Sequence, residues 1–218
     1  PERRYDDFMN DARFGGLAFL TATMLMIITM AFHPTGHDLI DPERFSAAAR
    51  IATLTHTLAL LSLPLWTLGG IALTRELKPR ALPVAALVVY GFGLIAAMIA
   101  GAASGLIGPS IAEAMHGAAE NAGSWRVAFR YNGLVNRAFA SIFVIASTGA
   151  IVLWSASGIR GRTLPRGMGI FGMVAGIAVI AAFVGGHVGL DVHGFGLIML
   201  VEEIWFVGVA LWMIRRYS

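Results

Sequence analysis

Phe14-Gly-Gly-Leu-Ala-Phe-Leu-Thr-Ala-Thr-Met-Leu-Met-Ile-Ile-Thr-Met-Ala-Phe32 is a run of nineteen residues without one charged side chain. As a helix rising about 1.5 Å per residue it reaches nearly across the ~30 Å hydrocarbon core of a bilayer. The run is too long for the apolar part of a cleavable signal peptide and lacks a small-residue exit, so it is expected to stay as a span.

Five further charge-poor runs follow, at about 51–74, 81–108, 138–158, 167–186 and 194–214. No hydrophilic block between them is large enough for a second domain. The expectation is therefore a single all-α domain over 1–218, a polytopic integral membrane protein built as a six-transmembrane-helix bundle. The whole chain agrees: 57% of its 218 residues are hydrophobic and only 13% charged, against about 25% charged in water-soluble domains. There is no cysteine, which excludes disulfides, thiolate metal sites and thiol redox chemistry.

Orientation follows from the basic residues. Eleven (Arg3, Arg4, Arg13, Arg75, Lys78, Arg80, Arg160, Arg162, Arg166, Arg215 and Arg216) fall on one side, and five (Arg44, Arg50, Arg126, Arg130 and Arg137) on the other. The positive-inside rule then puts both termini in the cytoplasm, as in a bacterial inner-membrane protein. With the basic residues gathered at segment ends and a formal charge of +3, nucleic acid is not an expected partner; the lipid bilayer is.

The outer connections carry helix signals. Asp41-Pro42-Glu43 offers an N-cap, a first-turn proline and an acid for the second helix. Ser110 and Glu113 have capping-box spacing, predicting a short interfacial helix over about 111–121 between the third and fourth spans, with Ser124 then capping a long fourth helix. The glycine pairs Gly101/Gly105 and Gly172/Gly176 have the small-xxx-small spacing of close helix contacts.

In this topology all six histidines are exoplasmic: His33 and His37 after the first span, His56 in the outer part of the second, His116 on the interfacial helix, and His187 and His193 around the last turn. Eight acids share that side, while the inner halves of the spans contain no Asp, Glu, His, Lys or Arg. Glu202 and Glu203 lie about 12 Å down the sixth helix, where a carboxylate costs about 2–3 kcal/mol or more unless it is paired, protonated or metal-bound. Arg137, at comparable depth, is the plain partner for one of them. Arg126, Arg130 and Arg137 share a helical stripe, and Asn132 and Asn136 lie on another face. His187 and Asp191, four apart, would share a face if the fifth helix ran on, although Gly185, Gly186 and Gly189 equally suit a turn there. On the interfacial helix Glu113, His116 and Glu120 read as a water-facing polar stripe.

Imidazole and carboxylate without thiolate suit zinc, copper or iron. The expected centre therefore draws metal ligands from His33, His56, His187, His193, Glu202 and Glu203. Met30 and Met115, near His33 and His116, lean toward copper. In an enzyme, the metal would activate water or oxygen, Glu202 or Glu203 would serve as general base, and Arg137 would orient an anionic or lipid-like substrate. The alternatives are a single haem between His56 and His187 in a b-type cytochrome or quinol-linked subunit, a metal or small-solute transporter, and a non-catalytic assembly subunit. A transporter normally has relay groups in the inner half as well, which this chain lacks. Pro34-Thr35-Gly36-His37 and His187-Val188-Gly189-Leu190-Asp191 resemble fragments of the lipid-phosphatase signature. The lysine and arginine elements of that family are missing at suitable places, so no family is assigned.

Overall fold

The computed structural model describes residues 2–34, 38–77, 80–117 and 121–216; His37, Lys78 and Glu120 lie outside the described residues. The described chain is helical throughout, with no strand. Its elements are α1 (Glu2–Ala31), α2 (Phe45–Glu76), α3 (Ala81–Ala102), a π-helical turn (Ala103–Ile107), α4 (Gly108–Gly117), α5 (Ala122–Gly161), α6 (Arg166–Val184) and α7 (Val192–Arg215). Six helical stretches are long and apolar enough to cross a membrane, α3 through α4 forming one of them.

Each of these six stretches packs on its neighbours in the chain, and α7 returns to α1, so the bundle closes into a ring. Short connections favour this order because consecutive elements settle side by side. The ring is filled by aromatic side chains: Phe19, Trp66, Tyr90, Trp154, Trp205 and Phe206 are all buried. The Trp154 and Trp205 rings lie parallel with centroids 6.3 Å apart, and the Trp154 indole donates to Thr74 Oγ1 at 3.1 Å. The outer surface is apolar as well. Met24, Leu61, Phe92, Val174 and Ile204, from five different helices, are each more than half exposed. An apolar surface spread over the whole barrel of helices, and not confined to one patch, is unsuited to water.

The glycine pairs sit at helix crossings. A Cβ at Gly101 would meet Leu60 at 3.4 Å, and one at Gly105 would meet His56 Cβ at 2.1 Å, so this pair lets α2 approach. Gly172 and Gly176 do the same for α5, against Ser155 and Val152.

The expected helix start at Ser110 is not observed. Helical structure runs from Ala81 through the π turn to Gly117, and the Ser110 hydroxyl donates back to the Leu106 carbonyl at 2.9 Å instead of capping a new helix. Pro109 accounts for the irregularity. It has no N–H for the Gly105 carbonyl four residues back, and its ring crowds that carbonyl, a conflict that widening the turn relieves. The freed Gly105 carbonyl finds a partner on a neighbouring helix, Thr53 Oγ1 donating to it at 3.0 Å, and Asn132 Nδ2 adds a second donor at 2.9 Å to the Ala103 carbonyl, which also accepts the Gly108 amide. The fourth span is the expected long helix, beginning at Ala122 without a side-chain cap from Ser124. Asp41 does not cap α2 directly. Its Oδ1 accepts from the Glu43 amide at 3.0 Å in the turn that leads to Phe45.

Candidate functional site

A cavity of about 140 Å³ lies at the end of the bundle where α1 stops and α7 starts. Its polar wall comprises His33, His56, Thr29, Ser104, Asn136 and Asp191; the rest is apolar and includes Met26, Met30, Leu60 and Phe143.

His33 and His56 face each other there. Their Nε2 atoms are 3.2 Å apart and their ring centroids 4.7 Å. Each ring is steered by its other nitrogen: His33 Nδ1 lies 2.8 Å from the Pro34 carbonyl, and His56 Nδ1 lies 2.8 Å from the Ala52 carbonyl. A carbonyl oxygen only accepts, so both Nδ1 atoms carry the hydrogen. Both Nε2 atoms of the neutral rings are then bare lone pairs, pointed at one another. Two lone pairs at this distance repel unless a cation lies between them, either a proton or a metal ion.

A proton would make one ring an imidazolium. Burial opposes that at His33, holding it below the ordinary histidine range, while its hydrogen bond to the Pro34 carbonyl works the other way. Among the described residues no ion pair joins Asp191, the acid of the cavity wall, to either ring. Asp191 is engaged otherwise. It is the N-cap of α7, its Oδ1 accepting from the amides of His193 and Gly194 at 3.0 Å each, which lowers its pKa.

The other expected site residues divide into separate groups. The turn at Gly185 and Gly186, the latter with φ +73°, ends α6 before His187, so His187 and Asp191 share no helix face. His187 and His193 are exposed and line no part of the cavity. The histidine that meets His56 is His33, and no hydrogen bond or ring contact joins His56 to His187. His116 is tied to the turn before α2, with its Nε2 3.2 Å from the Leu39 carbonyl and its ring against Phe45.

Glu202 and Glu203 are buried deeper, 4% and 5% exposed. Glu202 Oε1 accepts from Ser147 at 2.9 Å and Thr148 at 2.5 Å. The Thr23 hydroxyl is close enough to interact with the Glu203 carboxyl, yet Thr23 Oγ1 and Glu203 Oε2 each lack a hydrogen-bond partner in the observed geometry. Both glutamates border a small void of about 20 Å³, room for about one water. Met26, Leu63, Ala97 and Phe143 wall both this void and the outer cavity. Arg137 is exposed and forms no ion pair with either glutamate.

Among the described residues, no three His, Asp or Glu side chains converge as a metal-binding group. The six-residue centre expected from sequence is thus divided into a histidine pair at the cavity, two exposed histidines and a buried carboxyl pair. Two contributors escaped sequence reading. Gly105 looked like packing alone, whereas its bare Cα admits the His56 ring. Met26 is four residues before Met30, a spacing that puts both on one face of α1 just ahead of His33 and could have flagged it.

Fold and cavity together define an all-helical protein with six helices of membrane-spanning length around an aromatic core and a histidine-lined cavity at one end. A scan against protein-family models and searches of curated proteins and of solved structures return no match.

Proposed function

We propose that the protein is an integral membrane metalloprotein that binds one transition-metal ion between His33 and His56 and exposes it to the cavity. The facing Nε2 lone pairs carry this reading. With metal–nitrogen bonds of about 2.0–2.1 Å, nitrogens 3.2 Å apart subtend about 100° at the ion, near the tetrahedral value. The Nδ1 bonds to backbone carbonyls are the kind of outer interaction that orients metal-bound histidines. Two protein nitrogens leave positions open for other donors and for an incoming molecule. The apolar wall suits an amphipathic, lipid-like one, which the metal would polarise as a Lewis acid. Glu202 and Glu203, walled off behind Met26 and Phe143, act at most through the intervening void.

The apolar outer surface and the eleven-to-five division of basic residues support insertion in a bacterial inner membrane with both termini cytoplasmic, the cavity opening to the periplasm and α4 at the outer interface. Metal analysis of the purified full chain, together with His33→Gln and His56→Gln, tests the site. Each variant should lose the bound metal, while His187→Gln and His193→Gln keep it. Equal metal content in all five proteins would remove the assignment.

A further inference from the structure

The geometry points to a soft monovalent ion, Cu(I), as the metal, held by thioether sulfur from Met30 and Met26 in addition to His33 and His56. This inference rests on the His33–His56 reading and adds the identity of the ion.

Three observations converge on it. The first is the donor set. Among the described residues of the cavity wall, the imidazoles and thioethers are neutral, and the one carboxylate, Asp191, spends Oδ1 on two backbone amides. Thr29 is occupied too, its hydroxyl within 2.9 Å of the Leu25 carbonyl and 3.1 Å of the Thr55 carbonyl. Oxygen donors remain at Ser104, Asn136 and Asp191 Oδ2, but two imidazoles and two thioethers on the same wall are the set that favours Cu(I).

The second is charge. The energy of placing an ion in a low-dielectric cavity grows with the square of its charge, so a divalent ion costs about four times as much as a monovalent one when no anionic ligand offsets it. Zinc and ferrous sites in proteins commonly include thiolate or carboxylate ligands, and among the described residues no cluster of acids and histidines supplies them here.

The third is placement. Met26 and Met30, four apart on α1, and His33, two residues beyond its end, all line the cavity, and Met26 is 9% exposed. Gly196 of α7 leaves space for the tip of Met30, since a Cβ there would lie 3.5 Å from Met30 Cε. Met115, the other methionine near a histidine in sequence, is on α4 and lines no part of the cavity. Methionine is often only core filler, so the test uses Leu in its place, which conserves volume and removes only the sulfur.

The experiment titrates the purified full chain with Cu(I) under anaerobic, reducing conditions against a chromophoric chelator, and separately with Zn(II), for wild type, Met30→Leu and Met26→Leu/Met30→Leu. Wild type should bind one Cu(I) per chain more tightly than Zn(II). Met30→Leu should weaken Cu(I) by at least about tenfold and leave Zn(II) unchanged. X-ray absorption of the Cu(I) form should show sulfur at about 2.3 Å, lost in the double variant. Zn(II) binding tighter than Cu(I), or a double variant with unaltered Cu(I) affinity and spectrum, overturns the Cu(I) assignment while leaving a His33–His56 metal site standing. If wild type binds neither ion, the underlying site falls and this inference with it.

Discussion

Gly105→Ala is the sharpest test of how the histidine pair is held. The added Cβ would lie 2.1 Å from His56 Cβ and 2.4 Å from its Cγ, where ordinary contact begins at 3.4 Å, so α2 or the π turn must give way by about 3.4 − 2.1 = 1.3 Å. One ion with bonds of about 2.0–2.1 Å can span nitrogens no more than about 4.2 Å apart. Added along the line joining the two Nε2 atoms, now 3.2 Å apart, such a shift gives about 4.5 Å and breaks the chelate. Overpacking of this kind costs about 1–3 kcal/mol, offset by roughly 1 kcal/mol of helix propensity. The variant should therefore fold, with stability lowered by at most about 2 kcal/mol. Metal affinity should drop by roughly 10- to 100-fold, the range seen when groups supporting a metal ligand are disturbed. Gly101→Ala, one turn earlier, is the control: its Cβ meets Leu60 at 3.4 Å and needs no movement. Isothermal titration in detergent with thermal unfolding of the same samples reads both quantities. Wild-type affinity in a folded Gly105→Ala protein would refute the argument that this crossing sets the His33–His56 geometry.

Reporter fusions after Arg80, Arg162 and Ser218 should all read cytoplasmic, and an external reading at any one of them would reverse the assigned sides. Glu202→Gln and Glu203→Gln should leave metal content unchanged, because the carboxyls lie outside the histidine cavity; Glu202→Ala should lower thermal stability by about 1–3 kcal/mol by stranding the Thr148 hydroxyl, while Ser147 keeps the Phe143 carbonyl at 2.9 Å. Loss of metal in either glutamine variant would restore the glutamates to the centre. Asp191→Ala should lower the melting temperature through loss of the α7 cap, whereas Asp191→Asn, which caps as well, should not. The pKa of Asp191 is depressed by the amides of Gly194 and His193, so its contribution is present above the ordinary value of 3.8 and disappears as pH falls below it through the folded value. Melting curves of wild type and Asp191→Asn should therefore diverge only in that acid window, and a difference confined to neutral pH would contradict the capping role.

Much of the architecture is already legible in the amino-acid sequence. The six apolar runs correspond to the six helical stretches of spanning length, because about twenty consecutive apolar residues are a local property needing no partner. The glycine pairs were likewise readable as close contacts, since a missing side chain means approach wherever the neighbour is. Which groups approach was not readable. The capping-box pattern at Ser110 competed with helix continuation, and continuation prevailed once Thr53 and Asn132 from other helices could take up the carbonyls of the π turn. Connectivity alone puts the five described histidines at one end of the bundle, but connectivity fixes depth and not rotation about a helix axis. Rotation and axial register are set by packing over the whole ring, by Gly105 against His56 and by the aromatic core. These turned His33 and His56 face to face, left His187 and His193 at the surface, and enclosed Glu202 with two hydroxyls instead of Arg137. Sequence by itself determined what could span and which polar groups would share an end. Only the tertiary structure decided which of them touch, because contact across helices depends on angles and ångströms that no single segment encodes.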